Sequence, residues 1–388
     1  MTKNNKKKMN LIFIIVMGIY LLINSYIFIR IWQALPDNYL IKTLFSIIFI
    51  ILSCAFIVIM MGRESLPLSI QEPLFYLGVG WFGAIVYFIM FFLLADIVSL
   101  SDSLFHFLPS SIARGSAAFY QVRLVLSLIV VSSILTVGYI RFNNPGVYEL
   151  DLSVHKKAGE RKTLRIAAVS DLHLGLIVGP NRLARYVELI NASKPDIILI
   201  AGDLIDQSVR PLNEARLDLI LNKLEAPLGI YMSLGNHEYI SGIDASLDFI
   251  SKTNIKVLRD ETICINNEFV LVGRDDKMNH QRKSLSEIID KKIDKQDRQL
   301  PIILIDHQPF NLDDAMHNNI DLQFSGHTHH GQLWPANYIT DKIYELSNGY
   351  KLKENTHIYV SQGLALWGPP FRVGTRSEMG LITLHFDN

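Results

Sequence analysis

Cysteine is nearly absent: Cys54 and Cys264 are the only two in 388 residues. One falls in an apolar stretch and the other in a more polar half, which argues against a disulfide framework. With so few thiols, any bound metal must rely on nitrogen and oxygen donors. An excess of one charge is missing too, since 37 Lys and Arg balance 37 Asp and Glu. That balance argues against a general nucleic-acid binder. No small-x-small cleavage motif follows the first apolar run, residues 9–29. The run is also longer than the ~7–15 apolar residues of a signal peptide, so it reads as a membrane anchor.

What the chain does have is an uneven distribution of apolar residues. Residues 1–142 carry four stretches long enough for a bilayer, which needs ~20 mostly apolar residues: 9–29, 43–62, 74–95 and 124–140. Lys8 and Arg30 flank the first, and Asp96 ends the third. Arg123 and Arg141 flank the short fourth, from where they can snorkel to the interface. These stretches predict a membrane domain, an all-α bundle of four transmembrane helices. Lys3, Lys6, Lys7 and Lys8 before the first span, and Arg141, Lys156, Lys157, Arg161 and Lys162 after the fourth, place both ends in the cytoplasm at the plasma membrane. The loop 96–123 then lies outside, and its segment 102–109 is a candidate interfacial piece. Re-entry of that loop would reverse the sidedness.

Residues 148–388 alternate buried-strand runs with amphipathic helices and read as a soluble α/β domain. Helical spacing is expected over 180–191, 211–224 and 284–295. Several short apolar runs end in polar residues. Ile166-Ala-Ala-Val-Ser170 delivers Asp171 and His173; Pro195–Ala201 delivers Gly202 and Asp203; Gly229–Leu234 delivers Gly235, Asn236, His237 and Glu238. Leu300–Ile305 delivers His307, and the run ending at Phe324 delivers Gly326, His327 and His329. On an extended backbone, residues i and i+2 point to one side, so Asp171 with His173, and His327 with His329, are natural pairs. Each alone is weak, because Asp-x-His is commonly a cap or loop pair. Their shared position after strands is the stronger signal, since ligands of α/β sheets collect at the carboxyl ends of strands. Asp206, Asp275, Asp276 and His280 lack that clean placement and read as solvated or capping groups. Glu238 reads as a cap contact or a partner for a histidine.

Asp171, His173, Asp203, Asn236, His307, His327 and His329 together offer two carboxylates, one amide oxygen and four imidazoles. One ion needs four such donors, so seven suggest two divalent ions of the Mn, Fe, Zn or Co kind, manganese first. Two metals ~3.5–4 Å apart are a recurring device for phosphoester hydrolysis.

The series Asp171-x-His173, Gly202-Asp203, Gly235-Asn-His-Glu238, His307 and Gly326-His-Thr-His329 resembles the calcineurin-like metallophosphoesterase superfamily, in order and in full. The closing part, Tyr359–Leu364 through Gly368-Pro-Pro-Phe-Arg372, looks like the bacterial branch that contains YaeI and YkuE. The resemblance covers about residues 166–386. It implies a four-layer α/β/β/α sandwich. It also implies that Asp171, His173 and His329 hold one metal, Asp203 bridges, and Asn236, His307 and His327 hold the second. His237 would meet the phosphate and assist the leaving oxygen. His330 stands where relatives often have glycine, and Ala365 where a further glycine is common; neither removes a ligand. The expectation is a membrane-anchored phosphodiesterase or pyrophosphatase, with a hydroxide shared by two metals as nucleophile and a lipid-linked phosphoester among its candidate substrates. A tethered phosphodiesterase for soluble nucleotides, or a non-catalytic sensor or scaffold that binds metal and phosphate, are the alternatives.

Overall fold

The computed structural model describes residues 3–62, 66–107, 109, 115–294 and 296–387. The chain divides into two compact units, Met1–Val137 and Gly138–Asn388.

The first unit is helical: α1 (Lys3–Trp32), α2 (Tyr39–Gly62), α3 (Leu68–Phe105) and most of α4 (Ala117–Asn143). All four are long and apolar enough, by length and composition, to cross a membrane. Apolar side chains such as Leu22, Ile48, Leu94 and Ile129 face outward along them, as expected of helices that meet lipid rather than water. The interior is where the polar groups sit. Asn24 Oδ1 accepts from Ser53 Oγ and from Trp81 Nε1, both at 2.9 Å, linking α1, α2 and α3. Asp96 does not end the third helix. Arg30, Arg123 and Tyr26 all donate to its carboxylate, so the charge is satisfied and the helix continues to Phe105. Residues 96–105 of the expected external loop are therefore helical, while 108 and 110–114 lie outside the described residues. Arg123 does not snorkel either; it is buried, held by Asp96 and by Gln33 Oε1 at 3.2 Å.

The second unit is built on two six-stranded sheets. The first contains β1 (Gly146–Val154), β2 (Thr163–Val169), β3 (Ile197–Ala201), β4 (Ile230–Ser233), β5 (Ile255–Val257) and β12 (Glu378–Phe386), in the order β1-β12-β2-β3-β4-β5. The second contains β6 (Glu261–Ile265), β7 (Phe269–Gly273), β8 (Ile302–Ile305), β9 (Leu322–Ser325), β10 (Gly349–Lys353) and β11 (Thr356–Val360), in the order β10-β11-β9-β8-β7-β6. β2 to β5 run parallel, as do β7, β8, β9 and β11. Parallel strands covered on both faces read as unbroken apolar runs, which is why Ile197–Ala201 and Ile302–Ile305 are wholly buried.

Alternation assigns the faces. Ile166, Leu199, Leu271, Ile303, Phe324 and Tyr359 meet in the core between the sheets. Val270, Val272, Ile302 and Leu304 point the other way, onto α10 (Leu285–Lys292) and α11 (Leu312–His317). α5 (Pro180–Ala192) buries Leu183, Tyr186, Val187 and Ile190 and packs with α7 (Leu217–Leu221). The result is the expected four-layer sandwich. The helix anticipated over 211–224 is broken instead into α6 (Arg210–Glu214) and α7 (Leu217–Leu221). Arg216 sits between them at φ 51°, and the kink lets Leu212, Leu217 and Leu221 all be buried.

Tyr359 joins the sheets directly. Its ring stacks 5.6 Å from Tyr148 on β1 and 5.8 Å from Phe324 on β9, and its hydroxyl donates to Glu378 on β12 at 3.1 Å. Tyr359→Phe keeps the stacking and strips the buried Glu378 of one donor. It should cost about 1–3 kcal/mol, measured as a lower urea midpoint by near-ultraviolet circular dichroism.

Candidate metal centre

Each element that enters the centre ends at the same edge of its sheet. The chain leaves β2 for Asp171 and His173, β3 for Asp203, β4 for Asn236 and His237, β8 for His307, and β9 for His327 and His329. The backbone there is not the extended one expected of i, i+2 pairs. φ is 55° at Asp171, 42° at His173, 53° at Asp203, 72° at His327 and 47° at His329. Left-handed backbone at non-glycine residues costs of order 1–3 kcal/mol each and persists where surrounding contacts over-determine it. Asn236 is likewise not extended: it opens the short helix α8 (Asn236–Ile240), which α9 (Ile243–Ile250) follows.

All eight residues singled out from the sequence converge, in two groups. Donor atoms of Asp171, His173 and His329 lie within 4.8 Å of one another, as do those of Asp203, His307 and His327. His173, Asp203 and His237 form a third set that joins them. The His-x-His pair thus splits, one ring to each group. Asp203 Oδ2 is 3.1 Å from His307 Nε2 and 3.8 Å from His173 Nε2, so this carboxylate stands between the groups. Asn236 Oδ1 lies 3.2 Å from His307 Nε2, on the side of the second group.

The donor set fits divalent cations. His173 Nε2 and His329 Nε2 face each other at 3.2 Å, with Asp171 Oδ1 3.4 Å from the latter. Asp171, His173 and His329 are buried. Nitrogen and oxygen donors aimed at one point out of water are what borderline divalent ions require.

Charge is distributed unevenly. Burial and the charge on His307 hold His327 down to about 3, and burial with Arg372 holds His329 well below the usual imidazole range. Both therefore present neutral lone pairs. Burial opposes charge on His307 and Asp203 as well, but their mutual attraction wins: His307 is raised well above its ordinary value and Asp203 is lowered well below. Burial also disfavours charge on His237, yet Asp203 and Asp206 outweigh it and raise its pKa. The His237 Nδ1 bonds the Asp206 carbonyl at 2.5 Å, which leaves Nε2 for a ligand.

Several residues that hold these groups were only partly legible. Glu238 makes the cap contact that was one of its two readings. Its fully buried carboxylate accepts N–H groups from Gly235 (2.7 Å), Asp203 (3.0 Å) and Ile205 (3.1 Å), fastening the loops after β3 and β4. Asp206 is buried rather than solvated, with Oδ1 3.5 Å from His173 Nδ1 and 3.6 Å from His237 Nδ1. Asp275 and Asp276 are buried too: Asp275 accepts from Tyr239 and Arg259, and Asp276 from Gln308 Nε2 at 2.7 Å. His280 is exposed, as expected. Arg372 is a fully buried cation that donates to the carbonyls of His329, Gly363 and Ala365 and lies 3.3 Å from His329 Nδ1. One charge in a glycine- and proline-rich loop carries no periodic signal, so only tertiary structure reveals it. His330 adopts φ 47°, which explains why glycine suits that position, and places Nε2 3.4 Å from Asp341 Oδ1.

A family model described as calcineurin-like phosphoesterase matches residues 164–331. A metallophosphoesterase of Campylobacter jejuni is 32% identical over 386 residues, covering 95% of this chain and 97% of the relative. The chain belongs to the calcineurin-like metallophosphoesterase family. A Helicobacter pylori metallophosphoesterase is 33% identical over 225 residues, or 58% of this chain, and the match spans 60% of that relative. A zebrafish (Danio rerio) protein named "transmembrane protein with metallophosphoesterase domain" is 31% identical over 287 residues, covering 70% of this chain and 64% of the relative. The family uses divalent metals, in agreement with the donor set.

Two outcomes are expected. A Cβ on Gly235 would lie 2.2 Å from Asp203 Oδ1 and 2.6 Å from its backbone nitrogen. Gly235→Ala should therefore displace Asp203 and weaken metal retention roughly 10–100-fold, assayed as bound metal per folded chain after dialysis. Secondly, although burial opposes it, the Asp203 carboxylate raises the pKa of His307 in the metal-free centre, and a proton held on that ring must leave for it to coordinate. Loading with Mn²⁺ at pH 7 should release on the order of one proton per chain, seen by titration calorimetry in buffers of different ionisation enthalpy.

Proposed function

We propose that this metallophosphoesterase is a membrane-anchored, dimetal-dependent phosphodiesterase. The observation that carries the reading is the shared carboxylate: Asp203 stands between a group formed by Asp171, His173 and His329 and a group formed by His307, His327 and Asn236. Two divalent ions, manganese first, held by these seven residues would supply Lewis acidity toward phosphoryl oxygens and a nucleophile at neutral pH.

The chain's own groups do the positioning. Glu238 fixes the loops that carry Asp203 and Asn236. The Asp206 carbonyl orients His237, whose Nε2 is available to a phosphoryl oxygen and whose raised pKa favours a proton there. His237 can thus stabilise charge or give a proton to the leaving oxygen. Residues 1–142 act as the membrane domain of a multi-pass protein, supported by four apolar helices and by the transmembrane relatives. The basic residues flanking the first and last helices favour a catalytic unit on the cytoplasmic face of the plasma membrane. A site tied to a bilayer favours a lipid-linked phosphodiester or pyrophosphate as substrate.

The test uses the full chain in detergent, reconstituted with Mn²⁺ and assayed on bis-(p-nitrophenyl) phosphate and p-nitrophenyl phosphate. Metal-dependent turnover of the diester in preference to the monoester is expected, and Asp203→Asn should abolish it while leaving the fold intact by circular dichroism. A folded, metal-loaded protein silent on both esters would point instead to a non-catalytic sensor.

A further inference from the structure

The segment that leaves the metal loop is amphipathic in an unusual direction. α12 (Asn337–Ile343) follows His329 and His330 closely, and it turns its large apolar side chains outward. Tyr338, Ile339 and Ile343 are 59%, 61% and 57% exposed. At 100° per residue these three and the exposed Lys342 fall within about 140° of one helix face. Trp334 just before the helix and Trp367, whose carbonyl accepts from Gln332 at 3.0 Å, add two half-exposed indoles nearby. Trp and Tyr beside isoleucine and a lysine are the composition of a helix lying in a membrane interface.

The occupant of this face follows from the chain's own path. The last turns of α4, residues 138–143, belong to the second unit. Gly138 approaches so closely that a Cβ there would lie 2.9 Å from Val373 and 3.2 Å from Phe371, and its carbonyl accepts from Arg372 N at 2.9 Å. Val373 in turn accepts from Trp334 N at 2.8 Å. Three adjacent residues thus lead from the last turns of α4 to the start of the apolar face. Arg182 and Arg185 clasp Asn143 at that helix end, at 2.7 and 2.9 Å, and add two cations to this side of the unit.

We propose that α12 with Trp334 and Trp367 is a bilayer-contacting surface of the catalytic unit, seated in the headgroup region of an anionic phospholipid membrane. Few side chains make such a contact, so alone it would be weak. A covalent tether through α4 makes it intramolecular and raises its effective concentration. The face also borders the metal centre: α12 starts a few residues after His329 and is followed by Tyr344, whose ring lies 6.2 Å from that of His327. Resting on the phosphodiesterase reading, this placement lets an amphiphilic phosphodiester reach the centre without leaving the headgroup layer.

The experiment uses the full chain with Cys54→Ser and Cys264→Ser, in vesicles of phosphatidylcholine and phosphatidylglycerol, with a nitroxide at Ile339→Cys or, separately, Ile343→Cys. Collisions with oxygen and with a water-soluble nickel chelate are compared with a nitroxide at Leu219→Cys, an exposed position on α7. Both α12 positions should favour oxygen and Leu219 should favour nickel. Nickel access equal to that at Leu219 would overturn the proposal, and so would shielding from both reagents, which marks a protein partner or second copy. This readout needs no turnover, so it stands apart from the fate of the phosphodiesterase reading. Where turnover is found, Ile339→Asp with Ile343→Asp should leave the soluble diester unaffected and slow hydrolysis of hexadecyl p-nitrophenyl phosphate in vesicles about tenfold; equal loss on both would also count against it.

Discussion

A carboxylate shut away from water ties the centre together. Glu238 collects three backbone N–H groups from the ends of two neighbouring strands. With those donors fixed, Asp203 is held in left-handed backbone and its carboxylate stands between the two histidine groups. Burial and the nearby charge of Asp203 push Glu238 up to about 7, against the pull of its donors. Divalent cations at Asp203 would oppose that repulsion, so the clamp and a loaded centre support each other electrostatically. Glu238 acts through backbone N–H groups, and the geometry of Asp203 and of the Gly235-Asn236-His237 turn depends on it.

The need for two sheets follows from the donor inventory. The first sheet presents Asp171, His173, Asp203, Asn236 and His237 at strand ends, and the second presents His307, His327 and His329. Neither sheet alone completes either group. The apolar core between the sheets, and the Tyr148–Tyr359–Phe324 stack through it, therefore hold the ligand distances as much as the loops do. Arg372 acts from behind, where its guanidinium braces the His329 loop against the Gly363–Ala365 segment. Burial pushes this guanidinium down to about 10, which still leaves it charged at neutral pH.

In the helical unit the same logic, charge satisfied inside apolar surroundings, changed a boundary. Read as a string, Asp96 marks the end of an apolar run. In three dimensions Arg30 and Arg123 meet it from two other helices, and a neutralised carboxylate is no reason for a helix to stop. No local pattern signals a partner 66 residues away.

The sequence by itself determined the class of the protein and the identity of its candidate donors. Unbroken apolar runs specify buried parallel strands and membrane-length helices, and the residues after those strands are written in order along the chain. Extended-backbone reasoning failed for His327 and His329, because the loops turn through positive φ and send the two rings to different groups. Tertiary structure alone decided that Asp206, Asp275, Asp276 and Arg372 are buried, that Glu238 clamps backbone rather than a histidine, and that α12 shows its apolar side outward. Periodicity reports what one segment does with its own neighbours. Burial of a lone charge, or exposure of a short apolar helix, is set by groups distant in sequence that only the folded chain brings near.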